Sequence, residues 1–357
     1  MQKILIISNV FPLDKNPSRG CYILAQVKLL ISAGYDVKVV NPLPFVPPFF
    51  QKLNKKFQGL KNLKKHKTIE NIDVFHPRYL CFPGTIFPNI NQKLAKRIAS
   101  RIYKWIEDWE PDIVHLHSIH PLLKVGESIA KKLDVPFFIT VHGWDFDVGI
   151  NNKKIYNSIV KISSNISGIC VVNNNHLDIA RRIIKEQQSH YIPCHVDIKL
   201  KYHRTIDKFD LKNKKIKLLF PANPSRSEKN YSLFLNTVKE LEKKGWEIEK
   251  DYLKNDSRKK TIQKFHWADL VLLTSKREGG PLVTKEAIFC GSRVVSTPVG
   301  DSSLWLPSNS VSQDFTSKAL VKSIESALRN DVDEWNIPKH FEAGNVLKKL
   351  IELYQIN

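Results

Sequence analysis

The sequence predicts an α/β protein of two Rossmann-like, doubly wound domains, and three observations carry that prediction. Apolar runs of strand length alternate with amphipathic helical stretches through the first half of the chain. A second such series begins near residue 216, and a polar, Lys-rich stretch over 198–215 separates the two as a linker. Strand–helix alternation implies right-handed crossovers and a parallel sheet. The chain of 357 residues is long enough for two ordinary domains, each with its own core.

In the first series the apolar runs predict strands at 3–8, 35–41, 113–117, 137–142 and 168–172. The amphipathic stretches between them predict helices at 21–33, 91–108, 122–133, 154–163 and 175–184. In the second series, strands are expected at 216–222, near 246–253, at 270–275 and at 293–297. The intervening helices fall at 231–244, 257–266, 281–290 and 316–329. The expected domains are therefore 1–197 and 198–338, followed by a C-terminal segment, 339–357, with a helix over about 339–353.

The net charge is +21, and the excess is mostly Lys. Such a balance points to a polyanionic neighbour: a membrane surface, nucleic acid or a phosphorylated substrate. The five cysteines, Cys21, Cys81, Cys170, Cys194 and Cys290, are scattered and contain no Cys-x-x-Cys, which reads as reduced thiols in a cytoplasmic protein. The apolar run after Lys3 is too short for a signal peptide, and no window reaches the ~20 apolar residues of a membrane span. A soluble or peripheral protein is the expectation.

The richest stretch is Glu278-Gly-Gly-Pro-Leu-Val-Thr-Lys-Glu286, directly after the apolar run 270–275. A buried strand ends in a Gly-Gly turn, and Pro281 opens a helix. The N–H groups of Gly280, Leu282 and Val283 then point out of that helix end, where the dipole favours an anion. Glu286 lies about 7–8 Å further along the axis from Pro281. An anion seat flanked by two carboxylates that accept hydroxyl hydrogen bonds fits a nucleotide-sugar.

Glu-Gly-x-Pro followed by a second Glu resembles the donor signature of retaining family-4 glycosyltransferases of the two-domain GT-B fold. The flanks, Trp267-Ala-Asp-Leu-Val-Leu-Leu-Thr-Ser275 and Cys290-Gly-Ser-Arg-Val-Val-Ser-Thr-Pro-Val-Gly-Asp301, resemble that family too, most closely bacterial members such as teichuronic acid biosynthesis glycosyltransferases. The resemblance implies a cleft between the domains and a last helix that crosses back onto the first. It also implies that Glu286 holds the ribose hydroxyls, while Glu278 and the backbone of Gly279, Gly280, Pro281, Leu282 and Val283 contact the donor. Gly20, in Ser18-Arg19-Gly20 before a helix, resembles the glycine that lets backbone approach the diphosphate, although a turn glycine would read the same way. His142, in Val141-His142-Gly143-Trp144-Asp145, resembles the family histidine that contacts the donor sugar at a strand end. For the diphosphate, Lys229 falls at the expected helix entry. Arg226 comes later than the family's Gly-Arg pair, which here reads Ala222-Asn223, and solvated surface charge is the other reading of Arg226.

Two further departures stand out. Leu241 and Leu270 lie closer together than the family usually has them, so the second sheet is expected to lack a strand or to have shortened loops. Ile192-Pro-Cys-His-Val-Asp197 replaces the usual Pro-Asn-Gly-Val-Asp. Asp145-Phe146-Asp147 spells a metal-dependent transferase pattern, but the family needs no metal and Asp145 already belongs to the histidine motif. His115-Leu-His117-Ser-Ile-His120 could form a metal cluster, yet no carboxylate or Cys stands nearby, and packing around the site is preferred.

The sequence thus reads as a retaining, metal-independent glycosyltransferase with catalytic His142 and Glu278, no cofactor, and the nucleotide-sugar as co-substrate. Its expected partners are that donor, a glycan or lipid-linked acceptor, and an anionic membrane surface met by the aromatic and basic segment 44–67, which as readily forms a solvated loop. No nucleic acid is expected. The place is the cytoplasm, peripheral on the inner face of the cell membrane. The rival readings are a nucleotide-sugar epimerase of the same architecture, a glycoside hydrolase using the carboxylate pair, and a basic membrane- or nucleic-acid-binding protein without catalysis.

Overall fold

Two largely parallel sheets carry the fold in the computed structural model, which describes residues 1–14, 16–45, 62–82 and 87–355. The chain divides into two units. The first comprises Met1–Phe11, Ile23–Ile192 and Leu347–Asn357; the second comprises Pro12–Tyr22 and Pro193–Val346. The expected boundary at 197/198 thus compares with 192/193, and the loop that holds Gly20 groups with the second unit.

The first unit contains β1 (Lys3–Ser8), β2 (Asp36–Val40), β3 (Leu43–Pro44), β4 (His66–Ile69), β5 (Ile72–Phe75), β6 (Arg78–Tyr79), β7 (Ile113–His117), β8 (Phe137–Val141), β9 (Gly168–Val171) and β10 (Ser189–Tyr191). Eight of them form one sheet in the order β10-β9-β8-β7-β1-β2-β5-β4. All its pairs are parallel except β4–β5. The central strands β7 and β8 are buried at every position, as expected where helices cover both faces of a parallel sheet. β4, at the edge, has no fully buried residue and carries His66 and Lys67, a charged edge that discourages further strand pairing.

The second unit contains β11 (Lys215–Phe220), β12 (Glu247–Tyr252), β13 (Leu270–Leu273) and β14 (Arg293–Ser296) in an all-parallel sheet ordered β12-β11-β13-β14. Its core is built from Leu218, Leu219, Phe234, Phe265, Val271 and Leu320, among others. The chain leaves β12 through a short turn into the helix Arg258–Trp267 and enters β13 directly, so the sheet has four strands. The stretch 198–215 has a single 3-10 turn, Leu200–Tyr202, before β11 begins.

Some elements differ from their sequence reading. The helix expected over 91–108 is two helices, Pro88–Lys96 and Ala99–Ile106, because the chain turns at Ile98 to bury that side chain with Ala95, Ile102 and Ile106. Pro281 is the N-cap, with extended φ and ψ of −66° and 99°, and the helix runs Leu282–Phe289. The last helix, Ala343–Tyr354, buries Leu350, Leu353 and Tyr354. Its Lys349 ammonium donates to the Tyr191 carbonyl of β10 at 3.1 Å.

Candidate functional site

In an open parallel sheet, ligands bind beyond the carboxyl ends of strands at the point where the winding reverses. In the second unit the chain passes from β11 outward to β12 and then returns to the other side of β11 as β13, so the reversal lies between β11 and β13. The loops leaving those two strands carry Lys229 and Glu278.

Side chains buried at the strand ends hold those loops together. The Thr274 hydroxyl donates to the carbonyls of Lys229 and Asn230, both at 3.1 Å. Lys276 N–H donates to the Glu228 carbonyl at 2.9 Å. Thr297, at the end of β14, donates its hydroxyl to the Ser275 carbonyl at 2.7 Å. This lacing brings the Lys229 ammonium onto Glu278 Oε1, which also accepts from the Ser275 hydroxyl at 2.6 Å. The positive φ that the turn requires lies opposite the two motif glycines, at Gly300 (φ 60°). A Cβ there would stand 2.5 Å from the Gly279 carbonyl oxygen and 3.0 Å from Pro281 Cδ, so only glycine lets the β14 loop back the 278–281 turn this closely.

Leu282 starts the following helix; the Thr284 N–H donates to the Pro281 carbonyl at 3.2 Å, and the N–H groups of Leu282 and Val283 come before the first full helical turn can supply them a carbonyl. Gly279, Gly280, Leu282 and Val283 are half-buried around that end, while Pro281 is buried. Glu286 is buried on the same helix, and its Oε1 pairs with Arg258 Nη2 at 2.7 Å. The two motif carboxylates are therefore held alike: a cation grips Oε1 of each, and Oε2 of each has no partner among the described residues. Beneath them, Lys285 and Asp301 form an ion pair at 2.8 Å with both side chains 1% exposed. The Lys285 ammonium also lies 4.1 Å from the Phe341 ring centroid.

Gly20, with φ 63°, sits in the loop that groups with this unit, and Glu286 and Arg258 lie within electrostatic reach of the neighbouring Cys21 thiol. Arg226 does not join the group. Its guanidinium pairs with Glu228 at 2.6 Å and is 55% exposed, which is the solvated-charge arrangement.

The first unit has its own reversal, between β1 and β7. Here Asn9 Nδ2 donates across the strand ends to the His120 carbonyl at 3.3 Å. His115 and His117, two apart on β7, point to the same face and stack with ring centroids 4.7 Å apart. His142, just past β8, continues the column: its Nε2 lies 3.2 Å from His117 Nδ1. Both nitrogens of His115 meet hydroxyls, Tyr354 Oη at 2.6 Å and Thr140 Oγ1 at 2.7 Å. Burial pushes His115 down to about 3 and His142 to about 4, and holds His117 well below its ordinary value, so the column is neutral at neutral pH.

Asp145 accepts from Ile119 N–H at 2.9 Å and His142 N–H at 3.0 Å, and burial raises its carboxyl to about 6. Asp147 pairs with His176 at 2.7 Å. Both carboxylates of the Asp-x-Asp sequence are thus engaged with neighbouring strand-end segments, Asp145 with 119 and 142 and Asp147 with 176. Among the described residues, no group of three or more His, Cys, Asp or Glu is placed to hold a metal ion.

Two parallel-sheet units with strand-end sites define a two-domain α/β protein of the GT-B class, and solved structures agree. Sucrose-phosphate synthase from Thermosynechococcus elongatus matches with a TM-score of 0.70 at 13% identity, covering 99% of this chain and 98% of that one. Anabaena HepE in complex with UDP and glucose matches with a TM-score of 0.62 at 13% identity, covering 99% of each chain. The model of Glycosyltransferase Family 4 matches residues 22–200, and the chain belongs to that family. A protein of Bacillus subtilis (strain 168) named as a teichuronic acid biosynthesis glycosyltransferase, TuaC, is 29% identical over 151 residues, 41% of this chain and 37% of that protein's length.

Arg258, Gly300 and the Lys285–Asp301 pair escaped sequence reasoning. A signal was present for Arg258, a cation immediately after the N-cap Ser257, and for Gly300, a glycine closing the loop after β14. Lys285 reads as one more surface lysine until its partner is known.

Proposed function

We propose that this protein transfers a sugar, with retention and without a metal, from a nucleotide-sugar to a hydroxyl acceptor in building a cell-envelope or surface polysaccharide. The observation that carries the reading is the pair of glutamates on the 275–290 segment, each gripped at one oxygen by a cation and each leaving the other oxygen unpartnered among the described residues. Family membership and the name of the Bacillus subtilis relative support transfer over epimerisation or nucleic-acid binding.

In this reading the ribose hydroxyls donate to Glu286, and the diphosphate meets Lys229, the Gly20 loop and the N–H groups at the start of the Leu282 helix. Glu278 and the 279–282 backbone hold the donor sugar, and neutral His142 orients its hydroxyls. As the bond between the anomeric carbon and the diphosphate oxygen breaks, charge grows on the phosphate, where a cation and a helix dipole stabilise it most. The acceptor hydroxyl attacks the same face, and its proton passes to the departing phosphate oxygen. The acceptor we propose is a glycan or a lipid-linked sugar. Docking on an anionic inner membrane face rests on the aromatic and basic segment 44–67, of which 46–61 lie outside the described residues; flotation with anionic vesicles tests it. No helix among the described residues is long and apolar enough to cross a membrane.

A thermal-shift series over UDP-, ADP-, GDP- and CDP-sugars tests the core claim, since a ligand that binds only the native state raises its apparent stability. One donor class is expected to give a shift that Glu286→Ala abolishes while the fold survives. A shift unchanged in that variant would overturn the assignment. Anomeric NMR of the product, with and without a chelator, checks retention and metal independence.

A further inference from the structure

We infer that Arg258 is a positioning residue of the donor site, holding Glu286 so that the carboxylate and the guanidinium together read the ribose diol. The inference rests on the nucleotide-sugar reading above. Arg258 opens its helix directly after Ser257, whose hydroxyl caps the helix by accepting from Lys260 N–H. A cation at that position faces the positive end of the helix dipole, and Lys259 and Lys260 follow it. Local sequence energetics therefore disfavour Arg258 where it stands, and the compensation comes from two other segments.

Glu286 Oε1 lies 2.7 Å from Arg258 Nη2, and the same nitrogen donates to the Asp197 carbonyl at 2.7 Å. The remaining guanidinium N–H donors have no partner among the described residues, and the side chain is 44% exposed. The Glu286 side chain is 9% exposed, and a carboxylate that buried needs a charged partner. The outcome is an acceptor without a partner among the described residues, Glu286 Oε2, on a carboxylate held by a 44%-exposed guanidinium that has N–H donors to spare. A vicinal diol is the complement of that pair, because each hydroxyl both donates and accepts. The short β12-to-helix connection delivers Arg258 to this place. Arg226, the arginine that the sequence nominates for the donor, faces solvent on Glu228.

The test uses the full chain and calorimetric binding of UDP, ADP, GDP and CDP, followed by the 2′-deoxy and 3′-deoxy counterparts of whichever binds best. The wild type is expected to favour the ribonucleotide over at least one deoxy form by about tenfold, the worth of a charged hydrogen bond. Arg258→Gln should weaken the ribonucleotide by about the same factor and leave that deoxy form within about twofold, erasing the preference. Arg258→Lys keeps the charge at the helix start and should also lose the preference, since an ammonium lacks the planar fork. Equal weakening of ribo and deoxy forms, or none, in folded Arg258→Gln or Arg258→Lys protein would overturn the inference. Loss of ribonucleotide binding in Glu286→Gln beside intact binding in both Arg258 variants would overturn it alone. Unchanged binding in Glu286→Gln would take down the donor-site reading itself.

Discussion

The two units place their chemistry at the same topological position and keep it there in opposite electrical states. At the β1–β7 reversal, three stacked imidazoles are stripped of water and held neutral, with hydroxyls of Tyr354 and Thr140 as partners. At the β11–β13 reversal, carboxylates and cations stand in ion pairs, Lys229 with Glu278, Arg258 with Glu286 and Lys285 with Asp301. Desolvation selects the uncharged form of a group standing alone, whereas a close opposite charge selects the ionised form. One parallel-sheet plan therefore supports both a neutral hydrogen-bonding surface and a charged gripping surface, and the choice lies with the residues just past each strand end.

That contrast can be broken most sharply at the Lys285–Asp301 pair. Asp301→Ala strands a buried ammonium and should cost about 3–5 kcal/mol in urea unfolding, while Lys285→Met with Asp301→Leu should recover much of the loss. Acid should act on the other unit. Unfolded imidazoles bind protons near 6.5, whereas His115, His120 and His142 in the fold wait until about 3, 4 and 4. The unfolded state thus binds more protons as pH falls below 6.5, and stability drops between there and about 4. Asp145, raised to about 6, opposes this below that pH as a single group. Histidine C2-proton NMR should show these imidazoles failing to titrate above pH 5.

Gly300→Ala comes next. It sets a Cβ against the Gly279 carbonyl at a positive φ, and should cost about 1–3 kcal/mol and weaken nucleotide binding through the displaced turn. The smallest effect is expected from Arg226→Ala, within about 0.5 kcal/mol in stability and with nucleotide affinity unchanged by calorimetry, because its pair with Glu228 is a surface pair.

The strands that build both sheet centres were legible because buried parallel strands are continuous apolar runs, as at 4–7 in β1 and in Leu270–Leu273. The edges were not. β4, His-Lys-Thr-Ile, is mostly polar, β5, Ile-Asp-Val-Phe, is four residues broken by a charge, and β10 is Ser-His-Tyr, too short and polar to signal a strand. Of the candidate donor residues, Glu278, Glu286 and Lys229 could be nominated from sequence because one short segment or one helix entry carries them. Arg258 could not, because its pair with Glu286 forms only once β12 and β13 lie on either side of β11. Arg226 was nominated from the family's arginine after this strand, with solvated charge as the other reading; it pairs with Glu228 and is 55% exposed.

The contact between Tyr354 and His115 spans 239 positions in sequence. A ribosome releases residues of the first unit long before it makes the helix that completes them, and domains tend to fold as they emerge. The first unit to be synthesised is thus the last to be finished: its imidazole column is sealed only after the whole second unit has left the exit tunnel. Closing so long a loop is slow, and until it closes the first unit keeps an open flank where Tyr354 will sit, which a folding helper or a protease could reach.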